Sequence, residues 1–225
     1  MGVTNYVRGV SYGHVAAFEV APDFHVIRAI RIKYGHNGSS VFSNTGNEKN
    51  WGWFFHEGAL CFVYTLSPLV VVGTDGNADV TAEWKSPGFP GWPFGILRGG
   101  TSPVKVGDEY FTFFHSSTWW KPPKRRYFVG CAAFSAKEPF LATRWTALPL
   151  FAGSTHDPRL FEHEPAVFAC GAVHRRGEWL VSMGLNDSAC AIARIPHNDL
   201  IECMTQLPQE ETPKRQIKPK LALKT

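Results

Sequence analysis

One structural plan occurs three times along this chain and leaves few folds open. Each copy has a turn at a glycine, an aromatic-rich strand, a short link, a second strand and a polar turn. The three glycine turns are Glu57-Gly58, Gly107-Asp108 and Arg176-Gly177. The first strands after these turns are 60–64, 110–115 and 179–183, and the second strands are 69–72, 127–134 and 190–195. The plan predicts a small antiparallel sheet that is repeated along the chain.

The composition predicts an all-β protein. The 225 residues include 21 Gly and 16 Pro, and 14% of them are aromatic. Prolines interrupt almost every stretch that is long enough for a helix, and no segment keeps a 3.6-residue apolar period. Short antiparallel sheets that recur in this way are typical of the blades of a β-propeller, because each blade needs neighbours to cover its faces.

The N-terminal part predicts one more, incomplete unit. Residues 14–20, followed by Pro22-Asp23, resemble the closing strand of a blade whose opening strands are absent. We therefore expect about three full blades and one partial blade. The alternative is a β-sandwich with irregular hairpins, which the uneven gaps of 49 and 70 residues between the glycine turns favour. An incomplete propeller would expose blade faces, so we expect a homodimer or a missing N-terminal segment or partner domain.

Charge divides the chain into a nearly neutral body and a basic tail. Five basic and two acidic residues lie in 208–225, so this segment carries +3 of the net charge of +4. The remaining +1 leaves the body without the electrostatic footprint of a nucleic-acid-binding protein. We expect a propeller domain over 1–207 and a flexible tail over 208–225.

The cysteines and the N-terminus predict a soluble, cytoplasmic protein. The five cysteines (Cys61, Cys131, Cys170, Cys190, Cys203) are an odd number without metal-ligand spacing, and four of them lie in apolar strand-like segments. We therefore expect reduced, buried thiols and no metal site. No basic-then-apolar leader and no apolar run of ~20 residues occurs, so we expect no membrane partner.

Three motifs follow one another in a fixed order. The first is Glu48-Lys49-Asn50-Trp51, ahead of a hairpin. The second is Gly99-Gly100-Thr101-Ser102-Pro103-Val104-Lys105, which continues to Phe113-Phe114-His115. The third is Val167-Phe168-Ala169-Cys170-Gly171, which continues to Met183-Gly184-Leu185-Asn186-Asp187. Together, over roughly residues 14–205, they resemble the motifs of the five-bladed β-propellers of mannoside phosphorylases and related β-mannosidases, glycoside hydrolase family 130.

This resemblance implies a reaction and a set of binding residues. In that family inorganic phosphate attacks the anomeric carbon of a sugar while a carboxylic acid assists the leaving group. The resemblance therefore implies an inverting glycoside phosphorylase or hydrolase for mannosides or related β-linked sugars, with no cofactor and with phosphate as a possible co-substrate. The candidate phosphate- or substrate-binding residues are Lys49, Asn50, Arg98, Lys105, His115 and Asp187. A solvated turn lysine, a hydrogen-bonded strand histidine and a turn-capping aspartate are the structural alternatives.

The sequence also departs from the family pattern. The family's general acid is an Asp in a Glu-Asp-Pro-Arg motif on an early blade, and only Glu19 and Asp23 precede Glu48 as carboxylates. His156-Asp157-Pro158-Arg159 resembles that motif but follows the second motif, and we interpret it as a structural turn. Ser116 replaces the Gly after His115. We expect the general-acid blade to be missing and turnover to be small, so a sugar-binding or protein-interaction propeller without catalysis is the alternative.

Tryptophans in or beside loops are candidates for stacking on sugar rings. They are Trp51, Trp53, Trp92, Trp119 and Trp120. Indole faces suit the apolar faces of pyranose rings, and packing between blades is the equally weighted alternative. We expect the proline-rich loops 86–93 and 119–124 to form the rim of a sugar pocket.

Overall fold

The computed structural model describes residues 3–5, 14–32, 50–75, 79–154 and 165–208. Lys49, Asp157 and residues 209–225 lie outside these ranges, so the expectations about them stay predictions, as does the domain boundary at residue 207. The described residues form almost only β-strands, which confirms the all-β class.

Four antiparallel sheets follow one another along the described residues. The first sheet contains β1 (Val3–Asn5), β2 (His14–Val20) and β3 (Val26–Arg31). The second contains β4 (Gly52–His56), β5 (Ala59–Leu66), β6 (Leu69–Thr74) and β7 (Val80–Ser86), in that spatial order. Neighbouring strands in both sheets are also neighbours in sequence, as short hairpin connections require.

The third sheet is the largest. Its strands are β8 (Val104–Val106), β9 (Glu109–Lys121), β10 (Lys124–Ser135), β11 (Ala142–Thr146), β12 (Phe151–Ala152) and β16 (Met204–Gln206). They lie in the order β16-β11-β10-β9-β8, with β12 paired to β10. Because β16 closes this sheet from near the end of the described chain, the third sheet ties residues 204–206 to residues 104–146.

The fourth sheet contains β13 (Val167–Arg175), β14 (Glu178–Leu185) and β15 (Ala189–Pro196), and the short helix α1 (His197–Glu202) follows it. The three predicted repeats are thus the second, third and fourth sheets, and predicted strand 14–20 is β2. The plan predicts that the last repeat ends in a polar turn, at 197–199, and this expectation is wrong because these residues begin α1. In the described residues, no helix has the length and apolar character that crossing a membrane requires.

The sheets pack face to face through aromatic cores, as blades do. On β9, Tyr110 packs on Phe54 of β4 with ring centroids 4.6 Å apart, and Phe114 belongs to the same cluster between the second and third sheets. Phe111 and Phe113 point the other way and pack against Trp179 of the fourth sheet. Alternate residues of a strand face opposite sides, so one aromatic run serves two interfaces.

The outer sheets extend this series. Ile32, directly after β3, packs with Phe62 and Tyr64 on the remaining face of the second sheet. On the outer face of the fourth sheet, Val173 and Ile192 are 56% and 72% exposed. Exposed apolar residues on a sheet face are consistent with a contact surface. The homodimer stays a prediction.

The cysteines behave in two ways. Cys61 and Cys131 are buried, and burial raises the pKa of the Cys61 thiol to about 12 and also raises the pKa of Cys131. Both are therefore thiols at neutral pH and pack as small apolar side chains. Cys170, Cys190 and Cys203 are exposed, which corrects the expectation that the strand cysteines are all buried. Cys170 and Cys190 lie on strands whose outer face has no neighbouring sheet among the described residues.

A histidine at the start of α1 couples the fourth sheet to pH. The indole Nε1 of the fully buried Trp179 donates a hydrogen bond to Nδ1 of His197, over 3.1 Å. The ring of His174 lies 5.1 Å from the His197 ring. Burial, followed by the nearby His174 and Arg144, lowers the pKa of His197. A protonated Nδ1 cannot accept the indole hydrogen bond, so folding favours the neutral imidazole.

We therefore expect acid to destabilise this end of the protein. An unfolded histidine titrates near pH ~6.5. The folded pKa is lower, so the unfolded chain binds the proton first as pH falls. The contribution of His197 to stability is complete above about pH 6.5 and is lost as pH falls through the lowered folded pKa. Thermal denaturation at pH 7.5 and 5.0 should show a smaller acid-induced drop in Tm for His197→Gln than for wild type. The control is His25→Gln at an exposed site. An equal drop in wild type and His197→Gln contradicts the assignment.

Candidate functional site

A polar cavity of about 370 Å³ collects residues from the second, third and fourth sheets and their loops. Four sequence-predicted residues line it, namely Asn50, Arg98, His115 and Asp187. Five further residues complete the lining: Ser117, Arg125, Tyr127, Ala166 and Phe168. Positions as far apart in sequence as 50 and 187 thus meet at one site.

His115 forms the buried side of this cavity. It is 4% exposed, and its ring packs on Phe168 of β13 with centroids 4.1 Å apart. Its backbone forms an isolated antiparallel bridge with Arg98, with N–O distances of 2.9 and 3.0 Å. His115 does not end its strand as expected, because β9 continues to Lys121. The bridge fixes the Arg98 backbone beside the histidine.

The two-glycine motif lets its loop approach Asn50. A Cβ on Gly99 would lie 2.0 Å from the carbonyl oxygen of Asn50, far inside contact distance. Asn50 itself adopts the left-handed backbone conformation, with φ of 65°. The buried Thr101 anchors the loop, since its hydroxyl accepts a hydrogen bond from the Phe113 amide over 3.0 Å. Thr101 is part of the second motif, but the sequence analysis did not single it out as a residue that positions the site.

A tight turn presents Asp187 to the cavity. Asn186 and Asp187 both have left-handed backbones, with φ of 51° and 52°. The Asn186 side chain accepts a hydrogen bond from the Ala166 amide (2.9 Å) and donates one to the Ser154 carbonyl (3.1 Å). The buried amide therefore fixes the turn, and the exposed carboxylate of Asp187 is left to line the cavity.

Arg125 and its partners are the main residues that sequence reasoning missed. The Arg125 Nε donates to the Ser117 hydroxyl over 2.9 Å, and Nη2 donates to the Ser117 carbonyl over 3.1 Å. The guanidinium carbon lies 4.7 Å from the ring centroid of Trp119. The signal was the basic run 124–126, which follows the segment 119–124 that the sequence analysis interpreted as a loop. Alternation along a continued hairpin would have placed Arg125 with Ser117 and Trp119.

Lys105 is not among the residues that line this cavity. It is exposed on β8 and pairs with Tyr110, whereas the bridge of β9 to Arg98 occurs at His115. The five residues from Tyr110 to His115 span roughly 17 Å of strand. The structure therefore does not bring Lys105 together with His115, and a phosphate contact from Lys105 gains no support from this cavity.

Of the five candidate tryptophans, three are packing residues. Trp92 is buried and donates its indole N–H to the Ser116 hydroxyl over 2.7 Å, which corrects its assignment to an exposed rim. This bond also gives Ser116 a structural role at the position where the family pattern has Gly. Trp51 and Trp53 are half-buried against the aromatic cluster on the second sheet, where Trp51 meets the Tyr64 ring edge-on at 4.9 Å.

The two remaining tryptophans, Trp119 and Trp120, are exposed, at 62% and 37%. They lie on β9 near the tip of its hairpin with β10 rather than in an irregular loop, which corrects the expectation for 119–124. Strand alternation puts Trp119 on the cavity side, with His115 and Ser117, and Trp120 on the opposite side. The other expected rim loop, 86–93, lies at a different cavity of about 290 Å³. Residues 86–90 line that cavity together with apolar residues such as Leu141 and Leu207.

The contact between Gly99 and Asn50 gives a direct test of how the cavity is built. A methyl group in Gly99→Ala must push the loop away from Asn50, and such overpacking typically costs about 1–3 kcal/mol. We expect a lower free energy of unfolding by urea denaturation. The control is Gly91→Ala, whose added methyl meets no atom within 4 Å and should change stability by about 0.5 kcal/mol or less. Equal effects of the two substitutions would contradict the close approach.

Several solved structures share this fold. A β-1,2-mannobiose phosphorylase from Listeria innocua matches with a TM-score of 0.58 at 18% identity, over 90% of this chain and 59% of that one. A glycosyl hydrolase from Bacteroides ovatus matches with a TM-score of 0.58 at 13% identity, over 86% and 60%. A third match has a TM-score of 0.60 at 12% identity, over 86% of this chain and 60% of that one. It comes from a study of the family 130 mannoside phosphorylases, a family that contains glycoside hydrolases that target β-1,2 mannosidic linkages in Candida mannan.

The likeness lies in the fold and not in the overall sequence. No protein-family model matches the sequence, and no curated protein matches it. The chain spans about 60% of the length of the structures it resembles. The chain therefore has the β-propeller fold of the family 130 glycosidases, and its polar cavity lies where three successive sheets of that fold meet.

Proposed function

We propose that this protein is carbohydrate-active and binds a β-linked mannoside or a related sugar in the polar cavity. One observation carries the proposal: Asn50, Arg98, His115 and Asp187 line a single cavity in a fold shared with mannoside phosphorylases. These residues come from separate sheets and loops, so their convergence is a property of the tertiary structure. The fold alone would support a weaker proposal, because one fold hosts many functions.

The residue types around the cavity suit a sugar together with phosphate. Arg98 and the His115 ring offer donors for charge-assisted hydrogen bonds to phosphate oxygens, and the Asn50 amide adds a neutral donor. The Asp187 carboxylate is an acceptor for sugar hydroxyls. Groups that are held in place from several strands can align a nucleophile with the anomeric carbon without reorganisation.

The number of carboxylates favours phosphorolysis over hydrolysis. An inverting hydrolase requires two, one as acid and one as base to activate water. Among the described residues that line the cavity, Asp187 is the one carboxylate. In phosphorolysis a phosphate oxygen bonds to the anomeric carbon while the glycosidic C–O bond breaks and the leaving oxygen takes a proton. That reaction requires an acid but no base to activate water. We assign Asp187 to the sugar hydroxyls and no residue as the acid.

The single carboxylate among the described lining residues also supports a second candidate function, a sugar-binding propeller without catalysis. Asp187 is exposed on its turn, whereas a general acid is commonly held in a desolvated pocket that keeps it protonated. Binding and turnover must therefore be measured separately.

The test uses the purified chain with β-1,2-mannobiose, with and without phosphate. We expect binding by calorimetry, and a phosphorylase releases mannose 1-phosphate only when phosphate is present. Release of mannose without phosphate indicates a hydrolase instead. Binding with turnover far below the usual ~1–10³ s⁻¹ supports the second candidate.

Asp187→Asn tests the site itself. It removes a charged acceptor for hydroxyls, so we expect sugar binding to weaken by about tenfold or more. The matched control is Asp108→Asn, another exposed turn aspartate, which lies outside the lining of the cavity and should bind as wild type does. Absence of sugar binding by wild type, or equal losses in both variants, contradicts the proposed function.

A further inference from the structure

The guanidinium of Arg125 is held in one orientation at the cavity wall. Two of its N–H groups donate to Ser117, and its guanidinium carbon lies over the Trp119 ring. A guanidinium that lies over an indole and also donates two hydrogen bonds keeps little rotamer freedom. An arginine that is ordered before binding loses less entropy on meeting an oxyanion than a mobile surface lysine does.

Arg125 lies toward the outer end of the site. In the β9–β10 register it pairs with Trp119, whereas His115 pairs with the buried Val129. Trp119 is four residues from His115, roughly 13 Å along the strand. Exposure rises over the same distance, from 4% at His115 to 62% at Trp119. The backbone bridge places Arg98 at the His115 end of the cavity, called the inner end, and the strand register places Arg125 at the Trp119 end, called the outer end. The names describe position along β9, since the Arg98 side chain is exposed and that of Arg125 is half-buried.

Two separated arginines exceed what a neutral sugar requires. A sugar hydroxyl is satisfied by amide, hydroxyl and carboxylate partners, which Asn50, Tyr127 and Asp187 provide in this lining. Arg98 and Arg125 leave the described lining with one more positive than negative side chain, even with a neutral His115. An arginine fork matches the geometry of a carboxylate or phosphate group.

We propose that Arg125 determines specificity and makes this cavity select a saccharide that itself carries an oxyanion, either a carboxylate or a phosphate ester. The inference deepens the proposed function and rests on the cavity being a sugar site. The inner end, at Arg98 and His115, remains the place for free phosphate. The outer end, at Arg125 and Trp119, binds the charged substituent of the sugar.

Calorimetry with four ligands tests this: mannose, mannose 6-phosphate, mannuronate and inorganic phosphate. Wild type should bind at least one charged sugar about tenfold or more tightly than mannose. Arg125→Gln should reduce that preference to about twofold and leave the affinity for mannose and for inorganic phosphate nearly unchanged. Arg125→Lys keeps the charge but loses the fork, and an intermediate preference is expected.

Arg126→Gln is the matched control. Arg126 is the next residue on β10 and points to the opposite side of the strand, where its Nε donates to the Gly153 carbonyl over 2.9 Å. The Arg126→Gln variant should keep the wild-type preference for a charged sugar over mannose. A Tm within a few degrees of wild type in thermal denaturation of each variant shows that the fold around the site is intact.

The outcomes separate this inference from the proposed function. Binding of mannose without preference for a charged sugar overturns the inference and leaves the proposed function standing. Equal losses of affinity for charged sugars in Arg125→Gln and Arg126→Gln indicate an effect of general surface charge. That result also overturns the inference. If Arg125→Gln loses as much affinity for inorganic phosphate as for charged sugars, Arg125 binds free phosphate. That result overturns the inference that it binds an anion carried by the sugar. If wild type binds no sugar at all, both proposals fail.

Discussion

The structure depends on the aromatic packing of β9, which is buried on both faces. Phe111 and Phe113 fill the interface with the fourth sheet, and Tyr110 and Phe114 belong to the cluster at the interface with the second sheet. A small antiparallel sheet cannot cover two apolar faces by itself, so the sheets are stable only as a stack. Burying a phenylalanine side chain contributes about 1.5–3 kcal/mol, and the stack repeats that gain at each interface.

The same strand carries the site, which links packing to function. Beyond Phe113 the odd-numbered positions of β9 continue as His115, Ser117 and Trp119 on the face toward the fourth sheet. The apolar interface thus opens into the polar cavity without a change of strand or register. Because the buried half of β9 is rigid, the polar half is presented at fixed positions relative to β13 and β10. The core therefore acts as the positioning device for the candidate binding residues.

Close backbone approach is the second constraint on the site. Gly99 permits the loop before β8 to contact Asn50, and the left-handed turn at Asn186-Asp187 is fixed by the amide of Asn186. Both are local backbone solutions that a few residue types permit, so they leave traces in the sequence. The motifs that suggested a glycosidase-like propeller consist partly of these turns, which explains why they were readable without the structure.

The sequence by itself determined the repeat, the all-β class and four members of the cavity, because alternation and turn chemistry act within a few residues. It did not determine which of the candidate side chains meet. Trp92 was expected on a rim and is buried against Ser116, and Lys105 is far along the sheet from His115. Arg125 was missed although it lies beside Trp119 and Ser117. These placements follow from hairpin length, strand register and the stacking of sheets, which are contacts between residues distant in sequence. Only the tertiary structure decides them, because the energy that fixes each one comes from the partner strand or sheet and not from the local chain.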